Sequence, residues 1–484
     1  MIFKKKKKKE VDLLNGPILP KIISYSLVIM VTNLMQMLFN TADMIIVGKF
    51  AGNECLGAVG ATTALVSLFL SLFTGFAVGV SVITTHTIGA GDTKGFKQTL
   101  TTAFSLSILL GALLSILGFI FAEYALVLMD TPKDLLPLAT TYLRIYFLCM
   151  LPQLFFLYMA SVLRSLGNTK TPMYMLMVAG VVNVVLNFVF VVFFHMDVDG
   201  VALATVISQY ASAALLLWHM MKTDAIYKLE KIEFKFYKDK LSKIVAIGIP
   251  NAVHGVVISI SNVFIQSSLN TFDSIAVTGS SAAANIETYV YHVQSSFHQA
   301  GITFVGQNYG AGKFDRIKKT QRCCYFLVIT LGLTFGVLAY LFREPLLRIY
   351  INEGTTPEAI AAATEAIKFG SQRMLCICVP YFLCGIIEVQ TGLLCGLGKS
   401  VSPSVITVFG FCAVRLIWIA TMVEKYHTLT MLYACYPVSW FISMVLLYFV
   451  YLRAKHQLFP KEYKEIEVLR RLFKKKKPAE IKEG

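Results

Sequence analysis

Long apolar runs recur along the whole chain and indicate that it lies in a membrane. Of the 484 residues, 56% are hydrophobic and 15% are charged, which is more apolar surface than one soluble core could bury. A helix of roughly twenty residues rises about 1.5 Å per residue and so crosses about 30 Å of hydrocarbon. We therefore expect an all-α polytopic membrane protein. Its predicted spans, numbered 1 to 12, are 22–48, 56–86, 98–122, 137–161, 172–194, 200–220, 244–270, 275–305, 321–342, 362–393, 402–422 and 429–452.

The second half of the sequence repeats the first. The motif pairs stand in the same order, and each copy would contain six spans. An even number of spans gives both copies the same orientation, so we expect two six-helix lobes related by a pseudo-two-fold axis along the membrane normal. Such duplication is typical of transporters, whose substrate lies between the two halves. The paired motifs are LGAVGA (56–61) with IAVTGS (275–280), IGAGDTK (88–94) with YGAGKFD (309–315), and LGNTKTP (166–172) with LGKSVSP (397–403).

The duplication predicts four segments. An N-terminal lobe of residues 1–221 precedes a basic linker, 222–243, which either is a plain connection or forms a short amphipathic helix on the membrane surface. A C-terminal lobe, 244–455, precedes a basic tail, 456–484.

Basic residues cluster outside the predicted spans. The formal net charge is +16, and much of the excess lies in Lys4–Lys9, in the linker and in Lys474–Lys477. Basic flanks stay in the cytoplasm, so both termini and the linker are expected inside. The lysine runs lack interleaved aromatic residues, which favours contact with anionic lipid over nucleic acid. No cleavable signal peptide is expected, because the apolar stretch after the basic start is too long.

Catalytic and metal-binding motifs are absent from the sequence. Most of the ten cysteines lie inside predicted spans, without paired CxxC spacing or His/Cys spacing for zinc. No HExxH motif, nucleophile elbow or phosphate-binding Walker loop stands in a suitable place. The sequence therefore predicts neither an enzyme nor a cofactor-binding protein.

Asp43 is the most informative polar residue. It lies within span 1, where a carboxylate costs about 2.5–3.5 kcal/mol and should face the bundle interior or water. Asn183 and Asn187, four residues apart on span 5, share one helical face, and Thr205 on span 6 lies at a similar depth. The alternatives are a hydrated Asp43 near the surface and amides that only pack helices. The agreement in depth favours one ion-coupling site. Sodium would use all these oxygens, whereas a proton would need only Asp43.

The second half contributes further candidates for a wet substrate cavity. Glu287 and Tyr291 on span 8 and Glu388 on span 10 are polar residues in apolar surroundings. Each glutamate either contacts substrate or forms a structural pair with Arg373, Arg415 or a histidine. His254 on span 7 either lines the cavity or hydrogen-bonds locally. On span 1, Asn40 and Met37 are added, since methionine suits a pliable binding surface.

These features together resemble the multidrug and toxic compound extrusion (MATE) family over nearly the whole chain. The resemblance rests on Asn40-Thr41-Ala42-Asp43, on GQNYGAG at 306–312 and on the paired Leu-Gly-x-x-x-x-Pro turns. It is strongest to the prokaryotic branch with an acidic residue in span 1. It implies a monomeric antiporter of the plasma (inner) membrane, without a cofactor, that exports amphipathic, often cationic small molecules in exchange for H+ or Na+. In that branch the coupling-ion site would fall on Asp43, Asn183, Asn187 and Thr205.

Two departures from the family pattern bear on the coupling ion. Relatives often have aspartate where this chain has Asn187, and the acid that another branch uses in span 7 is replaced by His254. A single negative charge favours a proton or a weak sodium site. The alternative function is a flippase for a lipid-linked saccharide, which would need several basic residues in its cavity, whereas Arg415 stands nearly alone inside the spans.

Overall fold

The computed structural model describes residues 12–51, 53–129, 131–230, 233–351 and 356–458. Within these ranges every regular element is a helix. The lysine run Lys4–Lys9, linker residues Lys231 and Ile232, and the predicted basic tail from 459 onward lie outside them.

Spans 1 to 6 form as the apolar runs predict, with ends that extend a few residues further. Span 4 is broken by 46° between its two helices, just before Pro152, whose ring cannot continue the hydrogen-bond ladder of a helix. Span 1 ends in a π-helical turn, Val47–Ala51, and span 5 ends in another, Val189–Phe193. The bounds are Ile18–Ala51, Asn53–Gly89, Thr93–Leu128, Leu136–Phe147 with Met150–Ser165, Lys170–Phe193, and Val198–Lys222.

Spans 7 to 12 repeat the pattern. A short helix, Arg343–Arg348, follows span 9, and span 10 is interrupted at Pro380 by a 3-10 turn, Val379–Tyr381. Span 11 contains two π-helical turns, Phe409–Ala413 and Ile419–Val423. The bounds are Lys238–Leu269, Ser274–Gly310, Phe314–Leu341, Pro357–Gly396, Val401–Tyr426 and Leu429–Leu458.

Ten of these helices are long and apolar enough to cross a membrane, and span 4 makes eleven if its two bent helices count as one. Span 8 falls short because it carries charged and amide side chains such as Glu287, Gln294 and Gln307, all of which are buried among its neighbours. A helix this polar is tolerated in the membrane when the surrounding helices shield it from lipid.

Each half has its own apolar core, but span 1 belongs to both. Ile18, Ile22 and Ile29 pack in the core of the second lobe, whereas Ile46 and Val47 pack in the core of the first. The Tyr25 hydroxyl donates to the Arg164 carbonyl in the first lobe at 3.1 Å and lies 2.8 Å from Thr303 Oγ1 in the second. Span 1 therefore bridges the lobes.

Contacts between the lobes concentrate in the half of the spans nearest the chain termini. Gln307 donates to the Ser165 carbonyl at 2.6 Å, and Gln299 donates to Ser81 Oγ at 3.1 Å. Near the midpoint, a Cβ atom on Gly255 of span 7 would lie 3.2 Å from Ser71 Cβ of span 2. The lobes are thus closed together at the terminal end.

The linker does not form the amphipathic helix that was one of its two predicted forms. Its described residues have no helix between Lys222 and Lys238. Instead the backbone runs along span 3, where the Lys235 N–H donates to Ser105 Oγ at 2.9 Å and the Tyr237 N–H to Thr102 Oγ1 at 3.3 Å. Side-chain hydroxyls satisfy the strand-like backbone, which removes the need for helix hydrogen bonds.

Candidate functional site

Asp43 lies on span 1 one turn before its π-helical turn. Its carbonyl accepts from the Val47 N–H. The side chain is partly buried and points between spans 5 and 6, where it meets the two asparagines that sequence depth had placed beside it. The carboxylate has no basic partner among the described residues.

Amide groups replace a basic partner at Asp43. Asn187 Nδ2 donates to Asp43 Oδ1 at 2.6 Å. With its nitrogen toward the carboxylate, Asn183 donates to Oδ1 at 2.7 Å and to Oδ2 at 2.8 Å. Thr205 Oγ1 lies 3.4 Å from the end of the Asn183 amide that points away from Asp43. Asp43, Asn183, Asn187 and Thr205 therefore form one polar cluster joining spans 1, 5 and 6.

The Asn183 amide suits both charge states of Asp43. An ionised carboxylate only accepts hydrogen bonds and requires the amide nitrogen, whereas a protonated carboxyl carries an O–H that can donate to the amide oxygen. Rotating the amide by half a turn exchanges the two arrangements without moving a helix. The cluster can thus hold or release a proton in place.

Asn187 offers an unused acceptor. Its side chain is fully buried, and its Oδ1 atom has no hydrogen-bond partner among the described residues. A buried acceptor normally finds a donor, a water or an ion. No group of three or more His, Cys, Asp or Glu side chains suited to a metal occurs in the described ranges, so any cation held here would use mixed amide, hydroxyl and carboxylate oxygens.

Asn40 and Met37 lie nearer the middle of span 1 than Asp43. Asn40 stands three residues before Asp43, on the same side of the helix, and is exposed. Met37 is half-buried, and its carbonyl accepts from Thr41 Oγ1 at 2.9 Å. Within the described structure, neither side chain hydrogen-bonds to the cluster around Asp43.

Glu287 is held in a buried ion pair. Arg373 donates to it through Nε at 2.8 Å and Nη2 at 2.9 Å. The two side chains are 6% and 7% exposed, and Arg373 also lies over the rings of Tyr433 and Tyr436. This bidentate geometry matches the structural alternative for Glu287.

Glu388 has a histidine partner. Its Oε2 lies 3.3 Å from His298 Nδ1, and the Tyr291 hydroxyl donates to its Oε1 at 3.3 Å. His254, on span 7, is partly buried, and its Nε2 has no hydrogen-bond partner in the described structure. Glu388 and Tyr291 are thus brought together in the second lobe, apart from the cluster at Asp43.

A family model decides the classification. The model described as MatE matches residues 29–189 and 250–420, one match in each lobe. The chain belongs to the MATE family. MATE proteins are transporters and not enzymes, and their solved structures have twelve helices in two lobes, as this multi-pass chain does.

Relatives and solved structures agree with the assignment to the MATE family. The probable multidrug resistance protein YoeA of Bacillus subtilis is 27% identical over 87% of this chain and 91% of its own length. A protein named FAD transporter, from Shewanella oneidensis, is 26% identical over 70% of this chain and 76% of its own length. A solved outward-facing multidrug resistance MATE transporter superposes with a TM-score of 0.83 at 20% identity, covering 94% of this chain and 99% of that one.

Sequence reasoning left Arg373, Arg415 and a histidine as possible partners of Glu287 and Glu388. In this MATE protein, Arg373 pairs with Glu287 and His298 pairs with Glu388, whereas Arg415 is buried without a carboxylate partner among the described residues. The signal in the sequence was the rarity of basic residues inside spans. Which acid each base meets depends on helix packing, and helix packing cannot be read from spacing along one helix.

Proposed function

We propose that this MATE protein exports amphipathic organic cations from the prokaryotic cytoplasm in exchange for protons or sodium, with Asp43 as the coupling residue. The observation that carries the proposal is the cluster in which Asn183 and Asn187 donate to a carboxylate that lacks a basic partner. Such a carboxylate is anionic in one step and neutral in the next.

The cluster favours a proton over sodium. Sodium is a hard cation that needs several oxygens, by analogy with other hard cations. Here the amide nitrogen of Asn187 already occupies Asp43 Oδ1 at 2.6 Å. One carboxylate also offers less charge than two. The free Oδ1 of Asn187 remains the feature that would support a weak sodium site.

The lobe contacts support an outward-facing state. The lobes meet at the end that carries the termini, which the lysine distribution places in the cytoplasm. In this state Asp43 would load a proton from outside, the lobes would exchange their contacts, and the proton would leave inside. The protein would act as a monomer, since both lobes of the cleft come from one chain.

The names of the relatives support a small-molecule cargo. One is called a multidrug resistance protein and another a FAD transporter, so exported molecules would be small and amphipathic. Neither of these two relatives is named as a flippase for lipid-linked saccharides, and that alternative gains no support.

The deciding experiment measures ethidium transport in proteoliposomes that contain the full chain. Separate proton and sodium gradients are imposed on wild type and on Asp43→Asn, with Asp197→Asn, an exposed acid before span 6, as the control. We expect the proton gradient to drive transport by the wild type and by the control. The transport rate of Asp43→Asn should fall by at least about tenfold, because a variant without the coupling charge cannot use the gradient. Gradient-driven transport by Asp43→Asn at the wild-type rate would refute the proposal.

A further inference from the structure

Arg415 is a buried cation without a counter-ion among the described residues. It lies on span 11 and is 2% exposed, and no described carboxylate lies within ion-pair distance. Its Nε donates to Ser439 Oγ at 3.1 Å and its Nη1 to Asn262 Oδ1 at 3.4 Å. A guanidinium has five N–H donors, so most of them remain available.

Two aromatic rings lie against the guanidinium of Arg415. The planar edge of the guanidinium is the part that remains for hydrogen bonds. The Arg415 group lies 4.6 Å from the ring centre of Phe411 and 4.5 Å from that of Tyr436. Cation–π contacts of this kind stabilise the charge without neutralising it. The planar edge of arginine is suited to bidentate contact with carboxylate or phosphate.

The neighbouring arginine shows what is missing. Arg373 lies 5.8 Å from the same Tyr436 ring, and Glu287 neutralises its charge. Two guanidinium groups therefore share this part of the second lobe with one bidentate carboxylate. An unpaired charge inside a membrane protein is costly and marks a functional position.

The Arg415 side chain is connected to the exposed surface of span 7 through Asn262. Asn262 is exposed and follows Gly255 by seven residues on span 7, so both lie on one face of the helix. Gly255 faces Ser71 of the first lobe. Asn262 therefore faces the space between the lobes, two turns beyond the contact of Gly255 with Ser71.

The duplication sets this site opposite the carboxylate cluster. Asn262 stands 219 positions after Asp43, the same separation that joins the paired motifs at 56–61 and 275–280. At this position the first lobe has an acid held by amides, and the second lobe has an amide held by an arginine. At equivalent positions of the repeat, the first lobe thus has an acidic site and the second lobe a basic one.

We propose that Arg415, with Asn262, binds an oxyanion carried by the transported molecule, either a carboxylate or a phosphate. The substrate class then includes zwitterionic and anionic amphiphiles besides organic cations. This inference rests on the proposed export function but concerns binding, which can be measured without any gradient.

Two matched fluorescent ligands test the site. Rhodamine 110 carries a free carboxylate, and rhodamine 123 is its methyl ester. Binding of each to the purified full chain in a neutral detergent is followed by fluorescence polarisation. Arg415→Gln removes the cation. Asn262→Asp places a competing carboxylate beside Arg415 at an exposed position, so it tests the site even if Arg415→Gln does not fold. Asn270→Asp, exposed at the end of the same span, is the control.

We expect both site variants to bind rhodamine 110 about tenfold more weakly, or weaker still, because hydrogen bonds between charged groups are stronger than those between neutral groups. Rhodamine 123 should change less than about twofold. Equal losses for both ligands, unchanged rhodamine 110 binding, or no binding of rhodamine 110 to wild type would each overturn the proposal.

A lipid headgroup is the other source of an oxyanion. Phosphatidylglycerol is therefore titrated into the same samples. Loss of phosphatidylglycerol binding in Asn262→Asp, with rhodamine 110 binding intact, would overturn the cargo assignment in favour of a lipid site. Failure of the export proposal would appear separately, as absent gradient-driven ethidium transport.

Discussion

Two acids that lie inside predicted spans have different surroundings in the structure. Glu287 accepts two hydrogen bonds from Arg373, whereas Asp43 accepts only from asparagine amides. A carboxylate paired with arginine is held in its charged form. A carboxylate that accepts only from neutral amides can be protonated without leaving a buried cation unpaired. This difference makes Asp43, and not Glu287, the candidate for ion coupling.

The Glu287 pair should therefore be structural. Glu287→Gln leaves the Arg373 charge buried and uncompensated, which costs about 3–5 kcal/mol. We expect a marked fall in the unfolding temperature of the purified protein, measured by scanning fluorimetry.

Two further variants of the Glu287 pair sharpen the test. Glu287→Gln combined with Arg373→Met should recover much of the lost stability, because no charge remains buried. Glu123→Gln, which breaks the exposed pair with Arg144, should cost only about 0–1 kcal/mol. A loss for Glu287→Gln no larger than that for Glu123→Gln would contradict the structural role.

Counting residues along each predicted span indicated which side chains lie at the same depth in the membrane. This count grouped Asp43 with Asn183, Asn187 and Thr205. It could not choose among Arg373, Arg415 and a histidine as partners for Glu287 and Glu388. Depth follows from counting residues along one helix. Partnership depends on the rotation of two helices about their axes, and no local pattern encodes that rotation.

At the scale of elements, span length was predictable and local irregularity was not. All twelve apolar runs became helices, including the polar span 8. The 46° break in span 4 lies just before Pro152, whereas no proline marks the π-helical turns of spans 1, 5 and 11. A single inserted residue in a helical turn leaves no signature in apolar composition.

The close approach of spans 2 and 7 yields a conformational test. Ser71 Cβ lies 3.2 Å from the position of a Cβ atom on Gly255, slightly closer than the separation of about 3.5–4.5 Å in disulfides. A Ser71→Cys, Gly255→Cys double variant should therefore cross-link under mild oxidation and hold the lobes in this state. We expect ethidium transport to stop and to return with dithiothreitol, with the bond verified by mass spectrometry.

Each single cysteine variant serves as the control for the cross-link and should keep transporting after oxidation. Undiminished transport by the fully cross-linked protein would show that spans 2 and 7 need not separate here during the cycle.

At the scale of the whole molecule, the duplication correctly predicted twelve helices in two lobes. The predicted boundaries at 221, 243 and 455 remain predictions. The duplication gave no indication that the first part of span 1 packs in the core of the second lobe. The start of span 7 packs in the core of the first lobe in return, through Ile244 and Ile247, so the exchange follows the symmetry between the halves.

The lysine distribution predicts the orientation of the whole protein in the membrane. Asp224 in the linker should be cytoplasmic, and Asp273 between spans 7 and 8 should be outside. Both are exposed. An impermeant maleimide added to intact cells should label Asp273→Cys and should label Asp224→Cys only after permeabilisation. The parent protein, whose own cysteines are all buried or partly buried, gives the background. The opposite labelling pattern would invert the proposed direction of transport.

Span 1 carries Asp43 at one end and packs into the second lobe at the other. If its packing differs between the two states of the transporter, then proton affinity and lobe arrangement are thermodynamically linked. The factor by which a bound proton shifts the conformational equilibrium must equal the ratio of the proton affinities of the two conformations. Weakening the Tyr25 contacts between the lobes should therefore alter the apparent proton affinity of a carboxylate that Tyr25 does not touch.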